Sequence, residues 1–167
     1  MNCRAGHLVG MKWITHQAGA LTAALWFKAD TTLCAGLVFG AVLPDLIEYA
    51  ISRGDKSIFM RIHRGFWHWF GLYALALAAA LALPLPPRER TLAVGAALGA
   101  ISHLVMDGLN PSGVPLLPFC REPRLRAKLV ATGSLGEYCL LAGLLALIAL
   151  GGYSLDESWL RRLAGFW

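Results

Sequence analysis

Five blocks of largely apolar sequence divide this chain: Trp13–Phe27, Thr31–Ile51, Gly65–Leu83, Thr91–Leu109 and Leu135–Tyr153, with short polar stretches between them. A bilayer hydrocarbon core about 30 Å thick is crossed by roughly 20 apolar helical residues, with about 17 as a lower limit. Four of the blocks meet that length; Trp13–Phe27 is shorter and carries Thr15, His16 and Gln17. With 57% of residues hydrophobic and only 15% charged, the chain holds more apolar sequence than a soluble domain of this size can bury. The expectation is an all-α fold, a single polytopic membrane helix bundle of about five transmembrane helices covering residues 1–167.

The remaining features fit that frame. Met1–Lys12 has no apolar centre, so no cleavable signal peptide is expected and the spans themselves carry the chain into the membrane. Cys3, Cys34, Cys120 and Cys139 show no C-x-x-C spacing, which argues against a disulfide framework and against a thiolate metal cage. Pro84, Pro86 and Pro87 mark Leu83–Arg90 as a short exposed turn. Trp13, Trp26, Trp67, Trp69 and Tyr153 form an aromatic belt. The tail 154–167 sets Trp159, Leu160, Leu163, Phe166 and Trp167 around Arg161 and Arg162. It reads as a C-terminal interfacial amphipathic helix, with disorder as the competing reading.

Orientation follows from the positive-inside rule. With five spans, Arg4, Lys12, Arg53, Lys56, Arg61, Arg64, Arg121, Arg124, Arg126 and Lys128 fall on one side, and Lys28, Arg88, Arg90, Arg161 and Arg162 on the other. The N-terminus is therefore expected in the cytoplasm and the C-terminus outside. This asymmetry accounts for most of the net charge of +5, so nucleic acid is not an expected partner. Membrane lipids are. Arg121–Lys128 reads as a cytoplasmic loop against anionic headgroups.

The imidazoles and carboxylates are sorted on this topology. His16 opens span one, Asp45 and Glu48 close span two, His63 and His68 lead into span three, His103 and Asp107 close span four, and Glu137 opens span five, all at the cytoplasmic level. The charge count used none of these groups, so their convergence is an independent regularity. His103 and Asp107 are an i, i+4 pair that shares one helix face, and Asp45 and Glu48 are an i, i+3 pair just after Pro44. His63 and His68 would diverge on an unbroken helix, so His63 is expected before the helix, with Gly65 letting the chain turn. Imidazoles mixed with carboxylates suit zinc, manganese or iron better than calcium or magnesium.

Plainer readings exist for each group alone. His16 and His7 could be wetted residues near a helix end. Asp45 and Asp107 could be caps, and Glu137 could merely favour a helix dipole. Together they read as one shared site, because ionisable groups inside a membrane are costly and mark function.

The runs H-R-G-F-W-H (His63 to His68) and S-H-L-V-M-D-G-L-N-P-S-G-V-P-L-L-P-F (Ser102 to Phe119), with L-P-D (Leu43 to Asp45) and T-H (Thr15, His16), resemble the bacterial inner-membrane YdjM-like family of metal-dependent hydrolases. The resemblance covers His16 through Tyr138, and its implied metal ligands map onto His16, Asp45, His63, His68, His103 and Asp107. Hydrolysis is implied by the resemblance and not by spacing. Two departures stand out: Ile47 occupies the second Asp of the family's P-D-x-D, leaving Glu48 as the nearest substitute, and Trp67 and Trp69 flank His68 where Thr and Ser are usual. These leave the number of metals open.

The expected function is metal-assisted hydrolysis, with zinc the first choice of divalent metal and manganese or iron also fitting. His103, Asp107, His68 and Asp45 would hold the ion, and His16 and His63 would add ligands or anchor a second one. Glu48 would orient ligands or accept a proton, and Arg64 would neutralise a phosphate oxygen. A site at headgroup depth points to a phospholipid or other lipid phosphoester as substrate. A membrane metalloprotease or amidase is the rival enzyme class, weakened by the lack of H-E-x-x-H, and a non-catalytic metal-stabilised partner protein is the rival outside enzymes.

Overall fold

Pro44 breaks the second apolar block. Proline has no N–H to give to the carbonyl four residues back, and its ring clashes with that carbonyl. In the computed structural model, which describes residues 12–120 and 122–154, Thr31–Ile51 is therefore two helices, α2 (Thr31–Gly40) and α3 (Leu43–Ser52), bent by 47°. Of the two readings Pro44 allows, a new helical turn or a break in span two, the structure has the break. Asp30 caps α2 through the backbone N–H groups of Thr32 and Leu33, both at 2.9 Å.

The other expected blocks also appear as helices: α1 (Trp13–Trp26) before them, then α5 (Phe70–Ala82), α6 (Pro87–Gly108) and α7 (Leu135–Ser154). A short α4 (Lys56–Ile62) lies between α3 and α5, and a 3-10 turn at Phe66–His68 leads into α5. Asp55 caps α4. The Ser57 hydroxyl and the backbone N–H groups of Ser57 and Ile58 hold its carboxyl below the usual carboxylate range. Pro87 stands in the first turn of α6, where a missing N–H costs nothing, so the expected Leu83–Arg90 turn is confined to the residues before it.

Among the described residues, Pro87–Gly108 is by itself long and apolar enough to cross a membrane, and the bent α2–α3 pair joins it if counted as one span. Phe70–Ala82 (α5) and the Leu135–Gly151 part of α7 are apolar but shorter, and α1 has only 14 residues. The all-α expectation gains one small exception. Val114–Pro115 (β1) pairs antiparallel with Arg124–Leu125 (β2), Val114 opposite Leu125. The tail 155–167 and His7 lie outside the described residues.

Helices α2 and α6 cross at backbone contact. A Cβ on Gly40 would stand 2.0 Å from the Ala96 carbonyl oxygen, and one on Gly99 would stand 2.1 Å from that of Leu37. Gly36 and Gly95 complete two G-x-x-x-G pairs, the small-residue device by which membrane helices approach closely. Helices α1 and α7 run parallel: Thr15 meets Glu137 near their N-terminal ends, and the Trp26 indole donates to the Leu147 carbonyl at 3.2 Å near the other. A buried cluster of Tyr73, Ala100, Leu104 and Val114, backed by Leu43 and Phe70, packs directly beside the residues described next.

Candidate metal centre

Each fold feature delivers one group to the same end of the bundle. Helix α6 sets His103 and Asp107 one turn apart on one face. The break after α2 turns Asp45 and Glu48 inward on the first turns of α3. Tyr73 Oη donates to the Trp67 carbonyl at 2.9 Å and pins the 3-10 turn that carries His68. The first turn of α1 brings in His16. All of these side chains are buried.

At the middle, His68 Nε2 and His103 Nε2 lie 3.3 Å apart. The Nδ1 of His68 faces Glu48 Oε1 at 3.0 Å, and that of His103 faces the Ala41 carbonyl at 2.7 Å. Both neighbours are acceptors, so each ring carries its proton on Nδ1. Two bare Nε2 lone pairs are thus aimed at each other. Asp107 Oδ2 stands 3.6 Å from both, and Asp45 Oδ1, buried with no hydrogen-bond partner, is 3.3 Å from His68 Nε2 and 3.9 Å from His103 Nε2. With both Nε2 atoms unprotonated, two imidazole nitrogens and two carboxylate oxygens converge, a donor set that fits a divalent cation. Carboxylate or carbonyl support at the far nitrogen is the arrangement that orients metal-binding histidines. The histidine and carboxylate atoms fall into two sets that could hold an ion, Asp45–Glu48–His63–His68 and His16–His103–Asp107, with the atoms of each within 4.8 Å of one another.

The flanking groups differ in how they are engaged. His16 stacks on His103 with ring centroids 3.8 Å apart, its Nε2 3.7 Å from Asp107 Oδ1, and neither ring nitrogen has a hydrogen-bond partner. His63 points Nδ1 at Glu48 Oε2 (2.9 Å) and leaves Nε2 buried and unpartnered. Glu48 accepts on both oxygens, from His63 and His68 and from the Arg64 backbone N–H at 3.3 Å. Arg64 adopts φ 57°, a left-handed conformation that non-glycine residues rarely take, so the expected turn is made there and not by a left-handed Gly65. Gly65 is needed for space: a Cβ would lie 2.8 Å from the Ile62 carbonyl oxygen. Arg64 Nη2 donates to Asp107 Oδ1 at 2.7 Å, while Nε and Nη1 find no partner.

The family model for the YdjM inner membrane protein matches residues 11–163, a stretch that contains every residue of this cluster. The chain belongs to the YdjM family. It is 30% identical over 136 residues to "Uncharacterized protein YvsG" of Bacillus subtilis (strain 168), an alignment covering 76% of this chain and 82% of that protein. No solved structure matches it significantly. YdjM membership places the chain among inner-membrane proteins, and the leucines exposed on α5 and α7, Leu75, Leu81, Leu145 and Leu150, suit an apolar surrounding.

One acid of the sorted set stays outside the cluster. Glu137 is fully buried and accepts from the Lys12 backbone N–H (2.7 Å), the Gly133 backbone N–H (2.6 Å) and Thr15 Oγ1 (3.3 Å), tying α7 to α1. Its role is structural. One signal was available in the sequence and not drawn on: the paired G-x-x-x-G motifs that press α2 onto α6.

Proposed function

We propose that the protein is an integral membrane metal-dependent hydrolase that cleaves a phospholipid or other lipid phosphoester at the cytoplasmic leaflet. The observation that carries the reading is the pair of facing Nε2 atoms of His68 and His103, each with its other nitrogen protonated and held, flanked by Asp45 and Asp107. His68, His103, Asp45 and Asp107 would hold the ion, zinc by preference for a nitrogen and oxygen set, with manganese or iron as alternatives. When bound, such an ion supplies a water of pKa near ~7 and a Lewis acid for the scissile oxygen.

The chain's own residues do the rest. Glu48 keeps the proton on Nδ1 of His68 and His63, so its part is positioning and not proton acceptance. His16, stacked on His103 with both nitrogens unpartnered, is a further ligand. Arg64 fixes Asp107 and offers its remaining N–H groups to a phosphoryl oxygen. Trp13, Trp67 and Trp69 near this end support a site at headgroup depth, where a lipid ester bond lies.

The test compares detergent-purified protein with a His103→Ala, Asp107→Ala double variant by elemental analysis, alongside a panel of lipid phosphoesters and peptides. Divalent metal in the first sample and none in the second, with metal-dependent release from a lipid phosphoester, is the expected result. Equal metal in both, or a loaded protein inert toward every lipid phosphoester, counts against it.

A further inference from the structure

Beside the centre lies a cavity of about 420 Å³ walled by the end of α4, the chain around Arg64, the Pro111–Ser112 turn and strand β2. Its charged lining is Arg61, Arg64, Arg124 and Arg126 against the single acid Glu122, and His63 also faces it. The excess of positive charge is built in. Arg64 is 4% exposed, and its Nε and Nη1 are buried donors without partners, although leaving buried guanidinium donors unpaired is costly. Arg124 holds that geometry, donating through Nη2 to the Arg64 carbonyl at 3.0 Å and through Nη1 to the Ser112 carbonyl at 2.8 Å. Arg126 is shared with Glu122 at 3.7 Å in an exposed pair that an incoming anion can displace.

We propose that this cavity is an anion subsite that takes the terminal phosphate of a phosphomonoester, with Arg64 bridging it to Asp107 of the centre. A phosphomonoester carries about −1.5 to −2 charges at pH 7 and three acceptor oxygens, against one negative charge on a diester. Four guanidinium groups against the carboxylates of Asp107 and Glu122, each already paired with one of them, leave an excess of positive charge that matches the former. The Nε and Nη1 donors of Arg64, closed off from solvent and used by nothing else, would receive its oxygens once the side chain turns toward the cavity. Delivery of that phosphate to the reacting centre rests on the hydrolase reading above; recognition of it does not.

Binding to the detergent-purified full-length protein, as isolated and after chelation, tests this with inorganic phosphate and glycerol 3-phosphate as soluble probes. Micelles carrying phosphatidic acid or phosphatidylglycerol serve as the lipid monoester and diester. Phosphate and both monoesters should bind with or without metal, and phosphatidylglycerol should compete at least about tenfold less well. Arg64→Gln should weaken phosphate by about tenfold or more, and the Arg61→Gln, Arg126→Gln double variant, which leaves the buried contacts in place, by a few-fold. If Arg64→Gln fails to fold, the double variant decides. Soluble monoesters binding without phosphatidic acid would keep the subsite and assign it a soluble ligand. No phosphate binding, equal binding in both variants, binding that disappears on chelation, or equal competition by the diester overturns the proposal. A protein that holds metal and cleaves lipid but binds no phosphate sinks this subsite alone; one that binds phosphate without metal or cleavage sinks the hydrolase reading alone.

Discussion

The Ala41 carbonyl accepts a hydrogen bond from His103 Nδ1 across 2.7 Å, so the break between α2 and α3 and the imidazole of α6 are one structural unit. The contact exists because Gly40 and Gly99 let the two backbones touch. Alanine at either glycine should force the helices apart and cost about 1–3 kcal/mol, the range for overpacking. Gly143→Ala, on a helical position with nothing within 4 Å, should be neutral or stabilise by up to about 1 kcal/mol. Thermal denaturation in detergent checks both; a Gly99→Ala protein as stable as the parent contradicts the packing described.

Glu48 is predicted to act through the histidines it holds. Glu48→Gln keeps the shape but turns one of two acceptors into a donor facing a ring N–H. Metal affinity, measured by competition with a coloured chelator, should fall about 10- to 100-fold while the fold survives. Unchanged affinity would remove Glu48 from the support of the centre.

Glu137 should behave in the opposite way. Replacing it by Ala strands the Lys12 and Gly133 backbone donors and should cost about 1–3 kcal/mol of stability. The metal content per folded molecule should not change. A folded Glu137→Ala protein depleted of metal would show that this acid belongs with the ligands.

Topology is open to direct measurement. A periplasm-active phosphatase fused after Trp167 should be active, and a fluorescent protein that matures only in the cytoplasm should stay dark there. The reverse pattern would invert the membrane orientation drawn from the Lys and Arg distribution.

Asp55 lies outside the apolar blocks, and its carboxyl is held below the usual range chiefly by the Ser57 hydroxyl. A depressed carboxylate stabilises fully above its unfolded pKa of about 4 and loses that contribution as pH falls through the lower folded value. Hydrogen exchange should therefore show α4 loosening below about pH 4, and an Asp55→Asn protein should lack that step.

The sequence by itself determined that this chain is helical and apolar in blocks, because hydrophobic run length is local information that each block carries alone. It also gathered His16, Asp45, His63, His68, His103 and Asp107, since ionisable groups at block ends are sorted by the same periodicity. Which donors reach Glu48, whether Glu137 joins the cluster, and whether Arg64 or Gly65 makes the turn could not be read that way. Those outcomes depend on contacts between elements far apart in the chain: Glu48 with His63 and His68, Glu137 with Lys12 and Thr15, Arg64 with Asp107. A carboxylate's role is set by which donors reach it, and only the crossing of α2 on α6 and of α1 on α7 decided that.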